Sequence, residues 1–311
     1  MNLYHYHRVV AARLASGIGA VVLAASLGQV AVAAKPNIVF VLADDMGFGD
    51  VQALNARSQV PTPNLNRLAE QGMAFTDAHS PSAVCTPTRY GALTGRYCWR
   101  SRLKRGVLNG YSAPLLEPGR LTVAGILRSS GYHTSIVGKW HLGTLTKTET
   151  EANRGGPRGV KNFSPPQANG FDVCFSTESK VPTWDPMLRP KGNKSRKWWD
   201  PAKENGPYGT GYWNEKGKRV TQNLRGDNSR IIMDRAIPFM RSAAQKDQPF
   251  FTIVWFHTPH LPVVAGPQYT RMYANREKYA QHYYGCITAM DEQVGRLRTE
   301  LRALGVAQNT L

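Results

Sequence analysis

The sequence predicts an α/β fold: a doubly wound, mixed and mostly parallel sheet flanked by helices. Three observations carry the prediction. Segments 37–43 and 250–256 are continuous apolar runs rich in β-branched and aromatic residues, as in strands buried on both faces, and 132–137 is a third strand. Helical segments separate them, as parallel crossovers require. Each strand leads into a polar cluster, at 44–50, 138–143 and 257–262. Ligands of open α/β sheets bind beyond the strand carboxyl ends, so the three clusters predict one shared site.

The first 34 residues read as a secretion signal. Arg8 and Arg13 are the only formal side-chain charges before Lys35, segment 14–32 is small and apolar, and Ala31-Val32-Ala33-Ala34 suits cleavage. A retained anchor ranks second, because Ser16, Gly17, Gly19, Ser26, Gly28 and Gln29 make a poor membrane span. The expectation is an exported protein, periplasmic or extracellular, with no stable span after cleavage.

Lys35-Pro36 leads into the strand 37–43, which breaks at the acidic turn Asp44-Asp45-Met46-Gly47. Thr62-Pro63-Asn64 opens a helix over 65–71 that Gly72 stops. Segment 85–93 is helical with Pro87 in its first turn, and 121–130 is a further helix ending at Gly131. Residues 144–228 are rich in Gly, Pro, Lys, Arg and aromatics, including Trp184, Trp198, Trp199, Trp213, Tyr208 and Tyr212. They read as an irregular insertion over one sheet edge, with regular structure only at 171–175. A helix over 229–244, the strand 250–256 and a long helix over 279–304 complete the chain, and no repeat is visible.

With 311 residues, 41% hydrophobic and 19% charged, the chain can bury a large core, and its composition excludes disordered, collagenous and multi-pass membrane classes. The formal net charge is +18, two of it from the leader arginines, which favours anionic partners. No nucleic-acid-binding module is recognisable, so nucleic acid is not an expected partner. The four cysteines, Cys85, Cys98, Cys174 and Cys286, match no zinc template, and pairing is allowed outside the cytoplasm.

Cys85 and Arg89 stand four residues apart on one helix, sharing a face with Cβ atoms about 6 Å apart. The helix N-terminus adds free N–H groups suited to an anion. From spacing alone, a buried structural cysteine beside a surface arginine is the better reading. Asp44 and Asp45 repel one another unless neutralised, and a hard divalent cation would do so, Ca²⁺ or Mg²⁺; a solvated turn is the alternative. Lys139 and His141 point to one face if the strand continues, offering a fixed charge and a proton carrier. Of His257 and His260, the second is the candidate general acid, because the backbone leaves the sheet at Leu261-Pro262.

Taken together these residues resemble the sulfatase family of the alkaline-phosphatase-like superfamily. The resemblance runs from Pro36-Asn37-Ile38-Val39 into Asp44-Asp45-Met46-Gly47, then Cys85-Thr86-Pro87-Thr88-Arg89 into Leu93-Thr94-Gly95-Arg96. It continues through Gly138-Lys139-Trp140-His141-Leu142-Gly143, His257-Thr258-Pro259-His260 and Met290-Asp291. It implies that a formylglycine-generating maturation enzyme oxidises Cys85, recognising Cys-x-Pro-x-Arg. The hydrated aldehyde would attack sulfur through one hydroxyl, and the other would collapse to release sulfate, a step a thiol cannot perform. Asp44, Asp45 and the modified Cys85 would bind Ca²⁺, with Mg²⁺ as the alternative. Arg89 would hold formylglycine, Lys139 and His260 would bind sulfate or protonate the leaving oxygen, and His141 would assist collapse.

The implied substrate is a sulfated carbohydrate or an aryl sulfate, with the tryptophans of 184–213 as candidate sugar platforms. A phosphomonoester or phosphonate-ester hydrolase of the same superfamily is the second reading, and Gly138-Lys139-Trp140-His141 favours sulfate. An inactive sulfated-glycan-binding fragment is the third. The family's remaining metal ligands, an Asp-Asn pair, and a further sulfate-binding Lys lie beyond the helix 279–304. The expectation is therefore a truncated chain: residues 35–311 form the N-terminal part of the catalytic domain and the small C-terminal domain is absent. The calcium site would be half built and one sheet edge open to aggregation.

Overall fold

The computed structural model describes residues 34–109, 112–147, 163–193, 198–201 and 206–311. The expected leader lies outside them but for Ala34. Among the described residues no helix is long and apolar enough to cross a membrane.

In chain order the elements are β1 (Ile38–Asp44), α1 (Pro63–Gln71), α2 (Cys85–Thr94), α3 (Val123–Ser129), β2 (His133–Lys139), β3 (Val173–Thr177), β4 (Lys191–Asn193), β5 (Trp198–Asp200), β6 (Tyr212–Asn214), β7 (Arg219–Val220), α4 (Asn228–Ala244), β8 (Phe250–Pro259), α5 (Pro267–Met272) and α6 (Lys278–Ala303). The main sheet runs β1-β8-β2-β3-β6-β7. Its first four strands are mutually parallel and the last two antiparallel, the mixed and mostly parallel sheet that the sequence predicts.

β8 is apolar on both sides because it is a central strand with a helical layer on each face. Successive side chains of a strand point oppositely. Phe251, Ile253 and Trp255 accordingly pack with Tyr90 and Leu93 of α2 and Ala124 of α3. Phe250, Val254 and Phe256 pack with Ile232 and Met240 of α4 and Leu297 of α6. Emptying one such position, for instance Trp255→Ala, costs about 3–5 kcal/mol. Local chemistry sets the helix ends. Thr122 caps α3 by accepting from the Gly125 N–H at 3.0 Å, so that helix begins at Val123 rather than Leu121. Gly95, left-handed at φ 66°, closes α2.

Two expectations need correction. β1 is not buried on both faces: Phe40 and Val41 remain 37% and 36% exposed. Among the described residues β1 is the outermost strand of the sheet, and across its outer edge only its first residues find partners, near Asn309 and Leu311. Segment 144–228 is not solely a cover over the sheet edge. It supplies β3, β6 and β7, half of the six strands, although β6 and β7 are too short for the sequence to mark. Trp213 of this segment is a buried packing residue rather than a sugar platform, and Tyr208 and Tyr212 are buried as well. All four cysteines are free.

Candidate active site

The parallel strands β1, β8 and β2 end at one edge, where they deliver Asp44, His257 and Lys139, and the N-terminus of α2 brings Cys85 to the same edge. Gly138 makes the approach possible. Its φ is +108°, and a Cβ there would lie 1.8 Å from the Trp255 carbonyl oxygen, so only glycine lets β2 run this close to β8. Asp45 and His141 also hold left-handed backbone, at φ 68° and 56°. Such conformations are uncommon for residues with a Cβ and gather at functional sites.

Asp44, Arg89 and Lys139 form a buried charge cluster. Lys139 Nζ donates to Asp44 Oδ2 at 2.6 Å, and Arg89 Nη2 donates to Oδ1 at 3.1 Å. Arg89 Nη1 donates to the Lys139 carbonyl at 2.8 Å, and its guanidinium lies 4.8 Å from the Trp255 ring centroid. Both cationic side chains are fully buried. Burial by itself would raise the Asp44 carboxyl, but Arg89, Lys139 and His260 outweigh it and hold the group well below the usual carboxylate range. One carboxylate against two cations leaves one positive charge uncompensated. An anion arriving at this edge would complete the pairing that burial demands.

His141 orients on Cys85. Its Nε2 lies 2.9 Å from the Leu108 carbonyl, which can only accept, so Nε2 carries the proton. The Nδ1 lone pair then faces Cys85 Sγ at 3.2 Å. Burial, followed by the charges of Lys139 and Arg89, pushes the imidazole well below its ordinary value and keeps it neutral. Thr86 locks this arrangement: its hydroxyl donates to the His141 carbonyl at 3.1 Å and accepts from the Leu108 N–H at 3.2 Å. Sequence reasoning missed both partners. Thr86 sits inside the Cys85–Arg89 motif and could have been singled out, whereas the Leu108 carbonyl is backbone and leaves no side-chain signal.

His260 Nδ1 donates to the Leu261 carbonyl at 2.6 Å and Nε2 lies 3.5 Å from Asp45 Oδ2. Burial and then Lys139 lower its pKa, while Asp44 and Asp45 oppose the shift. His257 is almost fully buried and bonded to Thr177 Oγ1 at 2.8 Å. That hydroxyl gives its own proton to the Ser179 carbonyl, so His257 Nε2 must donate, while Nδ1 is buried with no hydrogen-bond partner among the described residues.

Arg89 departs from expectation. Its hydrogen-bond partners are Asp44 and the Lys139 carbonyl rather than Cys85. A buried guanidinium needs a carboxylate more than it needs a thiol. A cleft of about 290 Å³ opens over the cluster, lined by Asp44, Asp45, Ser82, Cys85, Thr88 and Arg89. A Ca²⁺ ion takes 6–8 oxygen ligands, roughly. Among the described residues no group of three or more His, Cys, Asp or Glu side chains could hold a metal, and Asp44 is already engaged by two cations. These residues by themselves do not complete a cation site.

The sulfatase family model matches residues 36–311. N-acetylgalactosamine-6-O-sulfatase of Bacteroides thetaiotaomicron is 30% identical over 312 residues, covering 89% of this chain and 57% of the relative. Human arylsulfatase A is 32% identical over 293 residues, covering 93% and 53%. Among solved structures, Ps i-CgsB superposes with a TM-score of 0.72 at 25% identity, covering 89% of this chain and 57% of that one; it has also been solved with k-i-k-neocarrahexaose. The chain thus spans about half the length of the curated relatives it matches.

Proposed function

The chain belongs to the sulfatase family, and from that premise we propose that it hydrolyses sulfate esters at the cleft above Asp44, with Cys85, matured to formylglycine, as the nucleophile. The observation that carries the proposal is the neutral His141 aiming the Nδ1 lone pair at Cys85 Sγ. Oxidation would replace that sulfur by an aldehyde, whose hydrate supplies an oxygen nucleophile. Asp44 and Asp45 would be this chain's contribution to a divalent cation site, Ca²⁺ or Mg²⁺, that needs further ligands.

The remaining chemistry follows from the residues themselves. The uncompensated charge of the Arg89–Asp44–Lys139 cluster draws the sulfate to the cleft. His141 Nδ1 accepts a proton from the group at position 85, the only direction its tautomer permits. His260 has committed its Nδ1 proton to Leu261, so only Nε2, once the ring has taken up a second proton, can pass one to the leaving oxygen. The apolar layer around Trp140 and Trp255, beneath the cluster, keeps bulk water away from these charges.

A sulfated carbohydrate is the proposed substrate class. The names of the relatives and the carbohydrate complex of Ps i-CgsB support it. We place the protein outside the cytoplasm on the composition of residues 1–34, with a formylglycine-generating maturation enzyme as its partner in biosynthesis.

The test is mass spectrometry of the peptide containing Cys85 from secreted, active protein, alongside kinetics on paired aryl sulfate and aryl phosphate esters. Loss of mass from thiol-to-aldehyde oxidation with a sulfate preference is expected. An intact thiol in active protein, or a clear phosphate preference, overturns the proposal.

A further inference from the structure

Beyond the end of α2 the chain reads Arg96-Tyr97-Cys98-Trp99-Arg100-Ser101-Arg102-Leu103-Lys104-Arg105, and no acidic residue occurs between Asp77 and Glu117. Tyr97 and Trp99 are 56% and 58% exposed, and their rings stack at 5.7 Å between centroids with 15° between planes. Arg100, Lys104 and Arg105 are exposed beside them. Among the described residues none of these three forms an ion pair with a carboxylate. Two large rings held in water, next to uncompensated cations, form a surface that core packing does not explain.

The strip is rigid. Cys98 and Ser101 are buried, the Ser101 hydroxyl donates to the Cys98 carbonyl at 2.6 Å, and Lys104 Nζ donates to the Trp99 carbonyl at 2.8 Å. The inward residues fix the backbone, so the outward rings and cations are presented with little ordering left to do on binding. The strip is also continuous with the catalytic edge. It leaves the carboxyl end of α2, about 14 Å along the helix from Cys85. It returns to the amino end at Leu108, whose carbonyl holds His141.

We propose that residues 96–105 form a docking site for a sulfated polysaccharide chain, separate from the catalytic cleft. The axial C–H faces of sugar rings lie against the electron-rich outer faces of Tyr97 and Trp99. Sulfate groups pair with Arg100, Lys104 and Arg105, the guanidinium groups in bidentate fashion. Rings and cations together read a sugar polymer that carries charge, and a chain several sugars long on this strip reaches toward the cleft. The choice of a sulfated glycan over another polyanion rests on the proposed function; the site itself does not.

The experiment is affinity electrophoresis of the full chain in gels containing carrageenan, desulfated carrageenan or double-stranded DNA, with aryl sulfate turnover measured in parallel. Two variants, Tyr97→Ala/Trp99→Ala and Arg100→Gln/Arg105→Gln, change only exposed side chains and leave the Lys104–Trp99 hydrogen bond in place. Each should weaken carrageenan binding about tenfold or more, with thermal unfolding and aryl sulfate turnover unchanged. Desulfated polymer should bind weakly to all forms. Unchanged carrageenan binding in the ring variant, or DNA bound as tightly as carrageenan, overturns the proposal in favour of plain polyelectrolyte attraction. If aryl sulfate turnover is absent while both variants lose carrageenan, the docking site stands and the catalytic reading falls.

Discussion

His141 Nδ1 sits 3.2 Å from Cys85 Sγ, and the Leu108 carbonyl, 2.9 Å from Nε2, determines which nitrogen is free to face it. Under the proposed function, a base in this position acts on the nucleophile and not on substrate binding. His141→Ala should therefore lower kcat on an aryl sulfate by a factor on the order of 10²–10⁴ while changing KM little. A rise in KM with kcat intact would move His141 from proton transfer to substrate binding.

The Asp44 cluster predicts an asymmetry. Asp44→Asn leaves Arg89 and Lys139 buried without a counter-charge and should cost about 3–5 kcal/mol. Lys139→Met keeps Asp44 paired with Arg89 one to one, so its cost should be smaller. Urea unfolding in the presence of a chelator, which removes any bound cation from the comparison, checks the order. Equal midpoints for the two variants would mean that the charges are less sequestered than the geometry indicates.

Gly138→Ala should be among the most damaging single changes, at least about 4 kcal/mol. The added carbon would meet the backbone oxygen of Trp255, which no side-chain rearrangement can move aside. A soluble variant with wild-type unfolding behaviour would refute the close approach of β2 and β8.

Asp227 gives a pH prediction remote from the site. It caps α4 by accepting from the Arg230 N–H at 2.9 Å, yet its Oδ2 is buried without a partner. Burial raises its pKa from 3.8 to about 7, against the lowering effects of the Arg230 and Ser229 N–H groups and the Arg230 charge, with Glu292 adding to the rise. The folded state then holds the proton that the unfolded chain releases, so this residue's contribution to stability falls as pH rises from about 4 to 7. Asn retains a capping acceptor without the charge. Asp227→Asn should flatten this part of the pH–stability curve and unfold at higher urea than wild type at pH 8. An unchanged pH slope would show that Asp227 stays ionised in the fold.

Much of this was legible in the sequence, and the remainder was not for identifiable reasons. The apolar run at 250–256 reads as a strand covered on both faces because its alternate residues serve two cores. The three polar clusters meet because parallel strands share a carboxyl edge. Strand order is not local information: nothing between Ile38 and Asp44 shows that β8, far along the chain, is the strand that pairs along their length. The partnership of Arg89 with Asp44 is set by desolvation across the sheet, while spacing pointed along the helix to Cys85. Leu108 acts through its backbone, which any residue would supply.

The centre of the sheet is made late. β8 separates β1 from β2, yet about 165 residues of chain lie between Cys85 and Phe250. At about 5–20 residues per second of synthesis, the segment around Cys85 exists for roughly 8–30 s before the strand it packs against. In the folded state Thr86, Pro87 and Arg89 are buried, so the proposed maturation enzyme, reading Cys-x-Pro-x-Arg, would find its determinants hidden. Because β8 follows the other described strands along the chain yet lies in the middle of the sheet, the segment of the proposed nucleophile would stay open during elongation until β8 inserts. The order in which the sheet assembles would then serve as the clock for maturation.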